Sequence, residues 1–219
     1  MEKKEFPKEE IDLRPKVSGG MTRRTSGIIK FILGVFLLPF VYSATVSFLN
    51  EFSIIEKPLQ NNFWAGVISF VIVYLFVWEP AKIYLKGQKL LEVIFRFFAP
   101  LVRIAPYLLP IFFILIFIGY LILTVLVKSD QLLNYSIFLF GFTIALHLVF
   151  SAKSLRLRQG DFLKANYIFR FSFIYIINLI LLSFFLNIIF ARFSIVNFLN
   201  YSLQTAKEIF GILFKQLFL

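Results

Sequence analysis

Five long apolar runs, separated by polar and mostly basic connections, limit what this chain can fold into. They fall at about 27–49, 63–78, 107–127, 135–152 and 171–191. A helix of about 20 apolar residues matches the ~30 Å hydrocarbon core of a bilayer. In lipid the backbone must satisfy its own hydrogen bonds, and a helix does so within one segment. The chain carries 31 Phe and 59% hydrophobic residues, whereas soluble domains hold about 45–50% apolar residues. A water-soluble globule of 219 residues could not bury that surplus. The expected fold is all-α: a polytopic helical membrane protein.

The connections divide the chain further. Residues 1–26, with Pro7, Pro15, Gly19 and Gly20 among many charges, bury too little to fold alone and are expected to form a flexible charged cytoplasmic tail. No apolar core of a signal peptide opens it. A transmembrane bundle is expected over 27–192. Its first run contains Lys30 near the start, Pro39 as a kink, and Ser43 and Ser47 as a small-residue contact pair. Trp64 and Trp78 bracket the second run as interfacial aromatics. Residues 50–62 read as a polar connection, and 128–134 as a tight one that makes its flanking runs antiparallel neighbours.

Two further segments read as amphipathic. Over 82–105, Lys82, Lys86, Lys89, Arg96 and Arg103 recur at spacings that stack on one helical face. This predicts a basic interfacial helix whose stripe contacts lipid headgroups. Over 193–219, Asn197, Asn200, Gln204, the adjacent pair Lys207 and Glu208, Gly211 and Lys215 form polar steps every three or four residues on an otherwise apolar helix. Such a helix lies in the interface or packs its stripe against a partner, and a sixth span with the stripe buried is the alternative. The span count is accordingly five or six.

Net charge is +11, with 23 Lys and Arg. Eighteen of these fall in the N-terminal tail, at Lys30 and in the two basic loops. That bias predicts a cytoplasmic N-terminus in a plasma membrane, the bacterial inner membrane, by the positive-inside rule. Membrane orientation therefore accounts for the charge without nucleic acid.

Reactive chemistry is sparse. The chain has no Cys and one His, His147, which removes thiolate sites and any site needing two imidazoles from one chain. Phosphate-cradling Gly-rich loops and nucleophile elbows are absent. Asn178 and Asn187 lie nine residues apart in the last run and point to opposite sides of a helix, which suits bonds to different neighbours. No acid sits mid-run, as proton-coupled transport would want.

The stretch "PAKIYLKGQKLLEVIF" at 80–95 resembles the motif with which site-2-protease-like integral-membrane zinc metalloproteases leave a span, roughly P-x-x-x-Y-x-x-G/A-H-E-L-T-H-A. Pro80, Tyr84, Gly87, Leu90 and Val93 fall in register. Gln88 stands at the first His, Lys89 at the catalytic Glu and Glu92 at the second His. A second stretch, "LRLRQGDFLKANYIFRFSFIYIINLILL", is similar to a later region of such proteins, with Gln159, Asp161 and Asn178 at matching positions. The resemblance implies a peptidase scaffold emptied of its metal. Gln88 is a poor zinc ligand, Lys89 repels a cation, and Glu92 with Asp161 does not make a peptidase site.

The expectation is a non-catalytic multi-pass membrane protein without a cofactor, acting as subunit or scaffold of an envelope membrane complex. Its partners would be membrane lipids and another membrane or envelope protein, the latter docking on Asn197, Asn200, Gln204 and Lys207. A lipid-handling or transport component is the alternative, motivated by the Phe-rich bundle and its basic stripes.

Overall fold

In a computed structural model of the chain, residues 20–77, 81–97, 105, 107–127, 129–157 and 164–218 are described. Among them are seven α-helices and no strand. They are α1 (Gly20–Phe52), α2 (Lys57–Ile72), α3 (Ala81–Ile94), α4 (Ile111–Leu126), α5 (Asp130–Leu157), α6 (Lys164–Ile189) and α7 (Ile195–Phe218). A π-helical turn, Val73–Val77, continues α2.

Among the described residues, four segments are long and apolar enough to cross a membrane: Ile28–Phe52, Lys57–Phe76, Gln131–Leu155 and Tyr167–Ile189. The third predicted run is shorter than expected, Ile111–Leu126. Pro110 ends the preceding segment because it has no N–H to donate, and Ile111 N–H bonds back to the Leu109 carbonyl at 3.0 Å instead of continuing a helix. Two other expectations change. Residues 20–26, read as part of the tail, belong to α1, while 1–19 lie outside the described residues. The connection read over 50–62 shrinks to 53–56, because Pro58 in the first turn of α2 starts that helix early.

Ring contacts and hydrogen bonds set the helix directions. Gly34 lies against the Phe169 backbone, and Thr45 Oγ1 lies 3.0 Å from Tyr175 OH, so α1 and α6 run parallel. Asn62 bonds Asn134 at 2.9 Å and Tyr74 packs on Phe150, so α2 and α5 also run parallel. Phe185 of α6 meets Phe113 and Phe117 of α4, while Asn178 bonds the Leu108 carbonyl, which sets α4 parallel to α6. Each tight turn reverses the chain. Thus α1, α4 and α6 run one way, and α2, α5 and α7 run the other. The ends of α2 and α5 and the starts of α1, α4 and α6 share one end of the bundle, where Lys30, the α3 lysines, Lys153 and Arg170 also lie.

In lipid, apolar burial drives helix association little, and close packing must do more. The α2–α5 seam achieves this through two glycines. A Cβ on Gly66 would overlap the Phe138 carbonyl, and a Cβ on Gly141 would overlap the Phe63 carbonyl. The two backbones touch reciprocally, and no other residue type fits at either position. The main core surrounds this seam, with Phe63, Phe113, Phe140, Leu182 and Leu186 buried. A second cluster, Phe70, Tyr84, Leu146 and Phe150, joins α3 to α2 and α5.

The C-terminal helix packs lengthwise on α1. Phe193, just before α7, packs on Phe48 with ring centroids 6.3 Å apart. Phe210 packs on Phe40 at 5.5 Å and on Phe36 at 6.0 Å. A helix lying across α1 would meet it at one point, so α7 runs antiparallel along it for about 22 Å, at 1.5 Å per residue.

Candidate functional site

The sequence points first to α3. Tyr84, Gly87 and Leu91 form its buried face, with Gly87 packed on Ile111 and Phe112. Lys82, Lys86 and Lys89 lie exposed on the opposite face, as the stripe predicts, and Arg96 is exposed in the turn that follows. The helix ends at Ile94, short of the expected extent. Arg103 lies outside the described residues, as do Trp78, Pro80, Gln159 and Asp161.

Gln88 is half-buried, while Lys89 and Glu92 are exposed. Among the described residues no group of three or more His, Asp or Glu side chains is placed to hold a metal ion.

Beneath α3 a different set of polar groups comes together. Gln88 Nε2 donates to Tyr84 OH at 2.9 Å. Tyr84 OH lies 3.1 Å from Ser151 Oγ. Ser151 Oγ donates to the Tyr107 carbonyl at 3.3 Å, and His147 Nε2 lies 3.1 Å from the same oxygen. A carbonyl only accepts, so His147 Nε2 carries the proton. Donors therefore follow one another from Gln88 through Tyr84 and Ser151, and end on a backbone oxygen. Burial pushes the Tyr84 hydroxyl above its ordinary value of 10.0, against the pull of its bonds to Ser151 and Gln88.

This geometry explains the pairing of His147 with Ser151. They lie one helical turn apart on α5, and Ser151 Oγ is 3.4 Å from His147 Nε2. A nucleophilic serine needs an unprotonated nitrogen facing it. Here that nitrogen donates its proton to the Tyr107 carbonyl, just before the break at Pro110. Asn178 Nδ2 does the same for the Leu108 carbonyl, at 3.2 Å, and also bonds the Ile174 carbonyl at 2.8 Å. In lipid an unpaired carbonyl costs several kcal/mol, and this polar set removes that cost for the broken entry to α4. The roles of Tyr84 and Ser151 were missed in the sequence. The available signal was a serine one turn after the only histidine, facing a Pro-interrupted segment.

The second candidate region is α7. Its N-terminus is held from three sides. Asn187 Oδ1 accepts from Ile195 N–H at 3.1 Å, Ser194 Oγ from Asn197 N–H at 3.2 Å, and the buried Glu51 carboxylate from Ser194 N–H at 3.3 Å. These acceptors suit the positive end of a helix. Phe198 and Ala206 face the bundle. Asn197, Asn200, Gln204 and Lys207 all lie exposed on another face, and Gln204 Nε2 donates to Glu208 at 3.1 Å. A third face, with Val196, Leu199 and Leu203, is exposed and apolar.

No protein-family model matches the sequence, and neither a curated protein nor a solved structure matches it.

Proposed function

We propose that this chain is a non-catalytic subunit or scaffold of a membrane complex, with α7 as its docking element. The observation that carries this reading is the exposed face of α7 bearing Asn197, Asn200, Gln204 and Lys207, on a helix packed lengthwise against an apolar span. Amides and a charge exposed to lipid are costly, and in membrane bundles such groups bond across helices. The inward polar set supports the non-catalytic half of the proposal, because its protons end on backbone carbonyls. Gln88, Lys89 and Glu92 supply no zinc-binding set, so the reading places no hydrolytic step in this chain.

The gathering of basic residues at one end of the bundle supports a cytoplasmic N-terminus in a plasma membrane. In that orientation Lys82, Lys86, Lys89 and Arg96 meet the anionic headgroups of the inner leaflet. Extraction in mild detergent followed by size analysis and mass spectrometry tests the proposal. A species larger than the monomer is expected. A monodisperse monomer with no companion chain would overturn it.

A further inference from the structure

We infer that α7 lies at membrane depth and that its polar face pairs with α7 of a second copy of this chain, the two helices running parallel about a two-fold axis. The inference rests on the subunit reading above and names the occupant of its docking face.

Depth follows from packing. Phe210 sits on Phe36 and Phe40, near the middle of the apolar segment Ile28–Phe52. Lys207 and Glu208 lie within one helical turn of Phe210, so they share that depth. From Asn197 to Lys215 the polar face is about 27 Å long, close to the ~30 Å of the hydrocarbon core. A helix with its polar face turned to water would not also keep Leu199 and Leu203 exposed along its length.

The chemistry of the face fits a copy of itself. Asn197, Asn200, Gln204, Lys207 and Gly211 follow spacings of three, four, three and four, the seam of a parallel helix pair. Two copies in one membrane share orientation, so each residue meets its own counterpart at equal depth. Asn and Gln amides both donate and accept, and so pair with themselves. Lys207 stands beside Glu208, so the two-fold axis brings each lysine to the glutamate of the other copy. A Cβ on Gly211 would meet nothing within 4 Å in the single chain, which leaves room for a second backbone to approach there.

The chain has no cysteine, so single cysteines report contacts directly. Asn197→Cys, Gln204→Cys and Gly211→Cys are made in the full chain, with Leu199→Cys and Leu203→Cys as controls on the lipid-facing side. Each variant is co-expressed with two different epitope tags and oxidised in native membranes. The seam variants should form a disulfide-linked species of twice the monomer mass carrying both tags, several-fold more than the controls. Equal cross-linking at seam and control positions would overturn the inference. An adduct holding one copy and a different protein would overturn the second copy while leaving the subunit reading standing. Absence of any adduct would overturn the inference, and a monomer in mild detergent would then remove the subunit reading as well.

Discussion

The polar side chains of this apolar chain form two sets with opposite surroundings. Tyr84, His147, Ser151 and Asn178 are buried, and each bonds a group of its own chain. Asn197, Asn200, Gln204 and Lys207 sit on the outer face of α7. The first set completes a backbone that proline interrupts. The second stabilises little within the monomer beyond the Gln204–Glu208 bond. Residue type alone does not separate them, since amides occur in both. What separates them is whether broken backbone lies within reach.

The contrast can be tested through variants whose expected effects differ in size. The largest belongs to the seam that brings α2 and α5 together beside the inward set. Gly66→Leu or Gly141→Leu drives a side chain into the opposite backbone and should cost about 3 kcal/mol or more, seen as loss of cooperative thermal unfolding in detergent. Wild-type-like melting of either variant would mean that the two backbones do not touch.

A smaller effect is expected within the inward set. His147→Leu removes the donor that lies 3.1 Å from the Tyr107 carbonyl and should destabilise the bundle by about 2 kcal/mol. If His147 were instead an exposed reactive group, melting would be unchanged. Tyr84→Phe should matter mainly through pH. Because burial raises the Tyr84 pKa above 10.0, the fold favours the neutral hydroxyl. Its contribution is complete below the unfolded value and is lost as pH rises through the higher folded one. Melting scans at increasing alkaline pH should therefore show the parent falling more steeply than the variant above about pH 10.

The smallest effect on the monomer is expected on α7. Gln204→Leu should shift monomer stability by no more than about 0.5 kcal/mol while lowering the share of the larger species in size analysis, because one interhelical polar contact contributes only about 1 kcal/mol. A monomer that melts several degrees lower would erase the contrast and make the outer face part of the fold.

Much of the architecture was legible because apolar run length reports directly on membrane crossing. Each of α1, α2, α5 and α6 overlaps a run read from it, although their ends differ from those runs by up to seven residues. The stripe of Lys82, Lys86 and Lys89 was equally readable, since helical periodicity places all three on one face. The α2 start and the short α4 were less accessible, because Pro58 and Pro110 act through single hydrogen bonds that hydropathy does not register. The in-register Tyr84 and Gly87 drew attention to α3 as a possible ligand helix. In the fold Tyr84 bonds Ser151 and Gly87 packs on α4, contacts that depend on residues far along the chain.

The sequence by itself determined an all-helical chain with spans of membrane length, two amphipathic segments and a strong charge bias, because these depend on composition and local period. Only the tertiary structure decided that Gly66 and Gly141 meet, that His147 donates to an interrupted backbone, and that α7 lies along α1 rather than across it. Those facts depend on which surfaces face one another, and a helical period specifies a face without naming its neighbour.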